Sequence, residues 1–243
     1  MKKLIRRLLF KNLWVFRKIT DPLIPLAYFV RASHWFHVQK SQFIDGPRNA
    51  VFEEVVQSES LANKEFIYLE FGVSRGWSFG YWLERCSNPN ATFWGFDTFS
   101  GLPEAWGSVA AGTYSTDGKV PAFDDQRARF CVGLFDQTLI PFIRENQLDK
   151  QLIVHLDADL YSSTLYVLVK LQPYLKANDI LIFDEFFSVT KSHHELRAFD
   201  DFLSIFPLKF IPLIKTPNQL AIKLLGPLHG PKPLRTSHPA PGF

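Results

Sequence analysis

The amino-acid sequence predicts an α/β fold built on a mostly parallel, seven-stranded sheet, with helices on both faces and an antiparallel hairpin at the C-terminal end. From residue 66 onward, short apolar runs alternate with segments of helical periodicity, which is the pattern of repeated βαβ units. Two of the apolar runs end in acidic residues, at Asp157-Ala158-Asp159 and at Asp184-Glu185. Carboxylates at the ends of two buried strands indicate the carboxyl edge of a parallel sheet, where open α/β proteins bind their ligands.

The predicted elements follow one another in a regular order. Strands are predicted at residues 66–71, 92–96, 129–132, 151–156, 179–183, 209–214 and 219–225. Helices are predicted between them, at residues 76–86, 136–145, 162–175 and 192–206. Ser162 or Ser163 is the expected N-cap of the third helix. The segment 100–127 is long and irregular, which is typical of a binding element or a lid.

The chain divides into three parts in this interpretation. Residues 1–60 form a basic amphipathic helix over 1–19 and a helical arm, residues 61–225 form the α/β domain, and residues 226–243 form a proline-rich tail without periodicity. The apolar face of the first helix has two interpretations. It lies on an anionic membrane surface, or it packs on the domain or on a second subunit of a homo-oligomer.

Charge and cysteine content exclude several classes of protein. Seven of the 27 basic residues and none of the 24 acidic residues lie in residues 1–19, so the rest of the chain carries a net charge of −4. A mildly acidic body argues against a nucleic-acid-binding domain. The two cysteines do not form a Cys-x-x-Cys pair, and no apolar run approaches the ~20 residues of a membrane span. These features favour a cytoplasmic protein with reduced thiols, peripheral to the membrane if residues 1–19 bind it.

The acidic strand ends predict a metal site. Four carboxylates at one edge of a sheet repel one another unless they are protonated or bridged by a cation. Carboxylate oxygens are the ligands that hard divalent cations such as Mg²⁺ prefer.

A glycine-containing turn after the first strand predicts a cofactor site. Gly72 and Gly76 allow the backbone to approach a ligand closely, and the helix that follows presents unpaired N–H groups to an anion. Asp97 ends the second strand, where an acid suits the ribose hydroxyls of a nucleoside cofactor. The turn matches neither the Gly-x-Gly-x-x-Gly fingerprint nor the P-loop.

Five strings in the same order carry a family resemblance, at residues 70–76, 96–104, 132–139, 156–164 and 183–185. With them the chain from about residue 66 to 225 resembles the class I S-adenosylmethionine-dependent methyltransferases, which have a Rossmann-like fold. More closely it resembles the macrocin O-methyltransferase family, which methylates sugar hydroxyls of macrolides. The resemblance does not extend to residues 1–50 or to the tail.

The resemblance implies a set of site residues. The implied cofactor-binding residues are Glu70, Gly72, Ser74, Gly76, Asp97, Thr98, Gly133 and Asp157. The implied Mg²⁺ ligands are Asp159, Asp184 and Glu185. One aspartate of the fourth strand also serves as general base; Asp159 is favoured because it projects beyond the strand end, and Asp157 is second.

Two departures from the family pattern bear on these expectations. The family commonly has Asp-Asp where this chain has Asp184-Glu185, and a glutamate remains an oxygen ligand. The family's Gly-Gly before the fifth strand is replaced by Ala177-Asn178, and asparagine tolerates the left-handed conformation of such a turn.

The implied function is Mg²⁺-dependent transfer of a methyl group from S-adenosylmethionine to a hydroxyl of a sugar or glycosylated metabolite. The alternatives are a metal-dependent glycosyltransferase that uses Asp-x-Asp, a phosphohydrolase with an Asp-x-Asp nucleophile, and a non-catalytic scaffold at a membrane surface. His155, His193 and His194 are alternative bases, although the position of His155 inside a strand predicts a buried histidine with satisfied hydrogen bonds. Trp106 lies in the long loop, where it is able to cover a ligand.

Overall fold

The computed structural model describes residues 23–38, 42–187 and 194–227. The predicted helix over residues 1–19, His193 and the tail beyond Pro227 lie outside these residues. Within them, no helix is both long enough and apolar enough to cross a membrane.

In the part of the chain that the structure describes, eight strands form one mixed sheet, in the order β1-β7-β8-β6-β5-β2-β3-β4. The strands are β1 (Gln42–Phe43), β2 (Ile67–Phe71), β3 (Thr92–Asp97), β4 (Ala128–Val132), β5 (Leu152–Leu156), β6 (Ile180–Phe183), β7 (Leu208–Lys215) and β8 (Leu220–Pro227). Strands β2 to β6 are parallel, and β8 is antiparallel to both β6 and β7. The predicted fold class and its seven strands are confirmed. The addition is β1, which extends the edge by pairing parallel to β7.

The described residues form six α-helices beside the sheet: α1 (Ile24–Val38), α2 (Ala50–Ser58), α3 (Trp77–Arg85), α4 (Phe135–Glu145), α5 (Tyr161–Leu171) and α6 (Glu195–Ile205). Helices α4, α5 and α6 bury their apolar residues against one face of the sheet, and α2 and α3 cover the other. Strands β2 to β8 contribute side chains to the cores on both faces of the sheet. In β2, Leu69 and Phe71 belong to the first core and Tyr68 to the second, because successive side chains point to opposite faces.

The helical arm expected before residue 61 is in part a piece of the domain. Val51, Phe52 and Val55 of α2 have no solvent-exposed surface and pack in the same core as α3. Helix α2 therefore packs on the sheet together with α3, and the domain boundary at residue 61 stays a prediction. Helix α1 lies against α6, where the side chains of Arg31 and Asp200 are 2.9 Å apart.

Two local expectations have different outcomes. Asn178 adopts a φ of +73°, so it takes the left-handed conformation that glycine has in the family pattern. The predicted serine cap of α5 is wrong, because the helix begins at Tyr161 and has no side-chain cap. The Ser162 hydroxyl donates instead to Glu104 of the long loop, at 2.8 Å.

Candidate active site

A cavity of about 270 Å³ opens at the carboxyl ends of β2, β3, β5 and β6. Eight of the predicted site residues line it: Gly72, Ser74, Asp97, Thr98, Asp157, Asp159, Asp184 and Glu185. We call the part of the wall formed by Gly72, Ser74 and Asp97 the glycine half, and the part formed by Asp157, Asp159, Asp184 and Glu185 the acidic half. Glu70, Gly76 and Gly133 do not contribute to the lining of this cavity.

Asp97 organises the glycine half. Its Oδ2 accepts hydrogen bonds from the backbone N–H groups of Val73 and Ser74, at 2.8 and 2.7 Å, and its Oδ1 accepts from the N–H of Phe99 at 2.7 Å. Three backbone donors are thus satisfied by one carboxylate at the end of β3. The turn is therefore fixed in shape without any ligand, and Asp97 keeps further acceptor capacity toward the cavity.

Gly72 connects the two halves. It has a φ of +96°, and a Cβ atom at this position would lie 1.9 Å from the carbonyl oxygen of Asp157. The backbone N–H of Asp157 also donates to the carbonyl of Phe71, at 2.9 Å. Only glycine allows the turn after β2 to pass this close to the end of β5.

Glu70 lies beneath the glycine half and has no exposed surface. Its Oε2 accepts from the hydroxyl of Tyr68 at 2.5 Å, and its Oε1 accepts from the hydroxyl of Ser78 at 2.6 Å. His155, its neighbour on β5, is equally buried, with Nδ1 at 3.1 Å from the Tyr68 oxygen. Glu70 therefore supports the turn from below, while its role toward the methionine end of a cofactor stays a prediction.

Arg48 is the residue of the acidic half that the sequence interpretation missed. Its Nε donates to Asp184 Oδ1 at 2.8 Å, and its Nη2 donates to Asp157 Oδ2. Gln219, directly before β8, also donates to Asp184 Oδ1, at 2.8 Å. The only local signal for Arg48 is the Gly46-Pro47 turn before α2, which says nothing about partners more than 100 residues away.

Burial controls the electrostatics of the acidic half. Burial raises the pKa of Asp157 well above its usual range, the neighbouring Asp184 raises it further, and Arg48 opposes both effects. Glu195, in the first turn of α6, is fully buried and accepts the N–H of Glu185 at 3.0 Å. Burial, followed by repulsion from Asp184 and Asp157, raises the pKa of Glu195 well above its usual range. This carboxyl is a second functional candidate that sequence patterns do not reveal.

Asp159 has an unusual backbone. Its φ is +59°, and the N–H of Leu160 donates across it to the carbonyl of Ala158 at 2.5 Å. This is a tight i to i+2 turn with a positive φ at its centre, which is uncommon for a residue other than glycine. It directs the chain away from β5, so that Asp159 lines the cavity beyond the strand end.

One group of possible metal-binding atoms in the described part of the chain includes Asp184, a predicted ligand, and the roles of Asp159 and Glu185 as ligands stay predictions. A nitrogen of His155 and one oxygen each from Asp157 and Asp184 lie within 4.8 Å of one another. Asp159 and Glu185 line the same cavity without joining this group. Arg48 supplies positive charge to the two carboxylates of the group, so the donor set fits a cation.

The long loop covers the cavity. Leu102, Pro103, Trp106 and Tyr114 line it, and Trp106 is only 2% exposed. The ring of Trp106 contacts that of His194 edge to face, with centroids 6.2 Å apart. The loop therefore covers the cavity as a lid, and His194, at the start of α6, contacts this lid.

Comparison with known proteins agrees with this geometry. The family profile for macrocin O-methyltransferase (TylF) matches residues 49–207, which is more than half of the chain. The chain belongs to the macrocin O-methyltransferase family. It is thus an O-methyltransferase of the class I, S-adenosylmethionine-dependent type. Because the match begins at residue 49, α2 falls within the family domain. The family match also argues against the glycosyltransferase and phosphohydrolase alternatives.

Comparison with solved structures supports the fold in one case. The structure of the calicheamicin methyltransferase CalS11 is 23% identical, with 72% of this chain and 76% of that chain covered and a TM-score of 0.54. The apo structure of CalS11, described as a TDP-rhamnose 3'-O-methyltransferase, is 25% identical over 72% and 76% of the two chains, with a TM-score of 0.48. At 23% identity the first likeness supports the Rossmann-like methyltransferase fold alone. No curated protein matches the chain.

Proposed function

We propose that this protein transfers the methyl group of S-adenosylmethionine to a hydroxyl of a sugar or glycosylated metabolite, with a divalent cation in the acidic half. The observation that carries the proposal is a single lidded cavity whose wall joins the glycine half to the acidic half. A nucleoside cofactor suits the first half, and a hydroxyl that must lose a proton suits the second.

The glycine half is proposed to hold the cofactor. Gly72 and Ser74 bring the backbone close to the ligand, and the spare acceptor capacity of Asp97 suits a ribose hydroxyl. Thr98, whose hydroxyl donates to the carbonyl of Gly101 at 3.1 Å, fixes the start of the lid beside it. The lid excludes water from the sulfonium, and orientation of the two reactants then supplies much of the acceleration.

The acidic half is proposed to activate the acceptor. Asp159 is our choice of general base, because it lines the cavity beyond the strand end, and Asp157 is the second choice. Asp157 and Asp184 would hold the cation, which the sequence predicts to be Mg²⁺, and Asp159 and Glu185 lie beside them. When bound, the ion stabilises negative charge on the acceptor oxygen. The base takes the hydroxyl proton, the oxygen attacks the methyl carbon, and the bond from that carbon to sulfur breaks.

Location and assembly belong to the same proposal. We propose a cytoplasmic enzyme whose residues 1–19 contact an anionic membrane surface, because seven basic residues and no acid occur there. Deletion of residues 1–19 should release the protein from anionic vesicles in a sedimentation assay. Unchanged sedimentation would instead favour packing of this segment on the domain or on a second subunit, which light scattering on both forms would distinguish.

The deciding experiment is calorimetric titration of the full chain with S-adenosylmethionine and with S-adenosylhomocysteine, each with and without Mg²⁺. Micromolar binding followed by methyl transfer to a nucleotide sugar or glycoside would support the proposal. Absence of binding to folded protein would overturn it and favour the scaffold alternative.

A further inference from the structure

Helix α1 presents a row of apolar side chains to solvent. Leu23, directly before the helix, and Leu26 and Val30 within it are 54%, 59% and 63% exposed, and Ala27 is exposed as well. Their spacing of three or four residues puts them on one side of a helix, which we call the outer face of α1. Adjacent exposed apolar side chains of this kind indicate a contact surface.

Contacts on the opposite side of α1 fix this orientation. Ala32 is 1% exposed and belongs to the core that α6 helps to form. The side chains of Arg31 and Asp200 are 2.9 Å apart, and the hydroxyl of Tyr28 donates to Asp201 Oδ1 at 3.4 Å. Rotation of the helix to bury the outer face would break all of these contacts. The outer face is therefore buried only by a partner that lies outside the described part of the domain.

The charge of the surrounding sequence indicates the kind of partner. Residues 1–40 contain nine basic residues and one acidic residue, Asp21, so they carry a net charge of +8, while the rest of the chain carries −5. Helix α1 itself contains no acidic residue. An apolar helix face among basic residues is typical of a helix that lies at the surface of an anionic bilayer. A second copy of the chain fits less well, because pairing of two outer faces would bring two segments of charge +8 together.

We propose that the outer face of α1 docks on the surface of an anionic lipid bilayer, beside the contact made by residues 1–19. The inference rests on the proposed function, which assigns membrane contact to residues 1–19, and it adds a second, apolar element to that contact. The basic side chains attract anionic headgroups, whereas Leu26 and Val30 supply apolar area that the bilayer removes from water. Binding to a bilayer increases with both contributions, so the two segments strengthen each other.

The test uses the full chain and vesicles of defined composition. Wild type should sediment with vesicles of phosphatidylcholine and phosphatidylglycerol, and only weakly with vesicles of phosphatidylcholine alone. The double substitution Leu26→Gln, Val30→Gln should lower the partition coefficient for the anionic vesicles at least about tenfold, because it removes two apolar side chains from the lipid contact. Val132→Gln is the matched control. Val132 is 56% exposed on the edge strand β4, in another part of the fold, and this variant should bind as wild type does.

Other occupants of the outer face give different results. Equal vesicle binding by the double variant and wild type overturns the inference, and so does a wild-type protein that does not bind anionic vesicles. If binding is equal and light scattering shows that the double variant has lost a dimer, the occupant is a second copy. If binding is equal and the free energy of unfolding falls instead, residues 1–19 pack on α1.

Two further measurements separate the possible failures. Circular dichroism reports whether each variant is folded, which we expect because the substituted side chains are exposed. Calorimetry with S-adenosylmethionine gives a separate result. Absence of cofactor binding overturns the proposed methyl transfer, whereas vesicle binding tests the outer face of α1.

Discussion

The two halves of the cavity wall are stabilised in opposite ways. In the glycine half, Asp97 accepts three backbone N–H groups, so its charge is used to fix the turn. In the acidic half, Asp157 and Asp184 depend on the guanidinium of Arg48, which reaches them from the turn before α2. The comparison teaches that one half is complete before any ligand binds, whereas the other is balanced by a charge that a ligand is able to replace.

The largest effect should come from breaking the acidic half alone. Asp159→Asn keeps the shape of the side chain but removes the proposed base, so turnover should fall by on the order of 10²–10⁴. Binding of S-adenosylhomocysteine should be unchanged, because the glycine half does not depend on this residue. Single-turnover kinetics and calorimetry on the same sample test both statements. Full activity in Asp159→Asn would transfer the base assignment to Asp157.

The next effect should come from separating the two halves. Gly72→Ala introduces a Cβ that meets the Asp157 carbonyl, at a φ of +96°, and should lower the free energy of unfolding by roughly 4 kcal/mol. Gly112→Ala is the matched control, because its φ is +80° but a Cβ there meets nothing within 4 Å. It should cost only about 1 kcal/mol. Equal losses in urea unfolding would mean that the contact with Asp157 is unimportant.

The difference between the halves also explains what the sequence was able to predict. Gly72, Asp97, Asp157 and Asp184 follow directly from strand ends, since apolar runs locate the strands and parallel strands bring their carboxyl ends to one edge. Asn178 was predictable because few residues tolerate a positive φ. These are local signals, each contained in a few neighbouring residues.

Contacts between distant parts of the chain were not predictable in this way. Arg48 is 109 residues from Asp157 and 136 from Asp184, and no local pattern relates them. The Gly-Pro turn before α2 favoured the prediction of a helical arm. In the structure, Phe52 is buried in the core and contacts His155, with ring centroids 5.0 Å apart. The serine cap of α5 failed because Ser162 has a better partner in Glu104, on a loop whose path only the tertiary structure determines.

The carboxylate of Asp179, at the opposite end of the sheet, tests whether a buried carboxylate is enough to indicate a ligand-binding site. Asp179 precedes β6, has no exposed surface, and accepts the N–H groups of Leu152 and Lys176, both at 2.8 Å. Burial raises the pKa of Asp179 to about 6 in spite of these bonds. Since the folded pKa is above the unfolded one, the protonated form contributes stability that is complete below about pH 4 and is lost as the pH rises through 6.

The unfolding free energy should therefore decrease between about pH 4 and pH 7, by about 3 kcal/mol from this carboxyl. Urea unfolding across this range measures the change. Asp179→Asn should flatten the curve, while Asp149→Asn, at an exposed position near the same end, should leave it unchanged. An identical pH dependence in Asp179→Asn and wild type would contradict the assignment. A flattened curve with normal methyl transfer would show that burial raises a pKa far from any ligand.

The smallest effect, and the most specific to the acidic half, should come from replacing Arg48, whose positive charge balances its carboxylates. Arg48→Met keeps the length of the side chain but leaves Asp157 and Asp184 without their partner. The free energy of unfolding should fall by about 2 kcal/mol. This loss is smaller than for a fully buried pair, because 42% of the arginine side chain is exposed. Added divalent cation should restore the stability of this variant more than that of wild type, since the ion no longer competes with the guanidinium. Arg85→Met removes a similarly exposed arginine that pairs with Glu53 on the surface, and it should gain no more from the ion than wild type does. Thermal unfolding with and without the divalent cation distinguishes the outcomes. Equal shifts of the unfolding temperature in all three proteins would mean that the ion binds elsewhere. A larger shift in Arg48→Met alone would identify Arg48 as the charge that balances the acidic half until an ion binds.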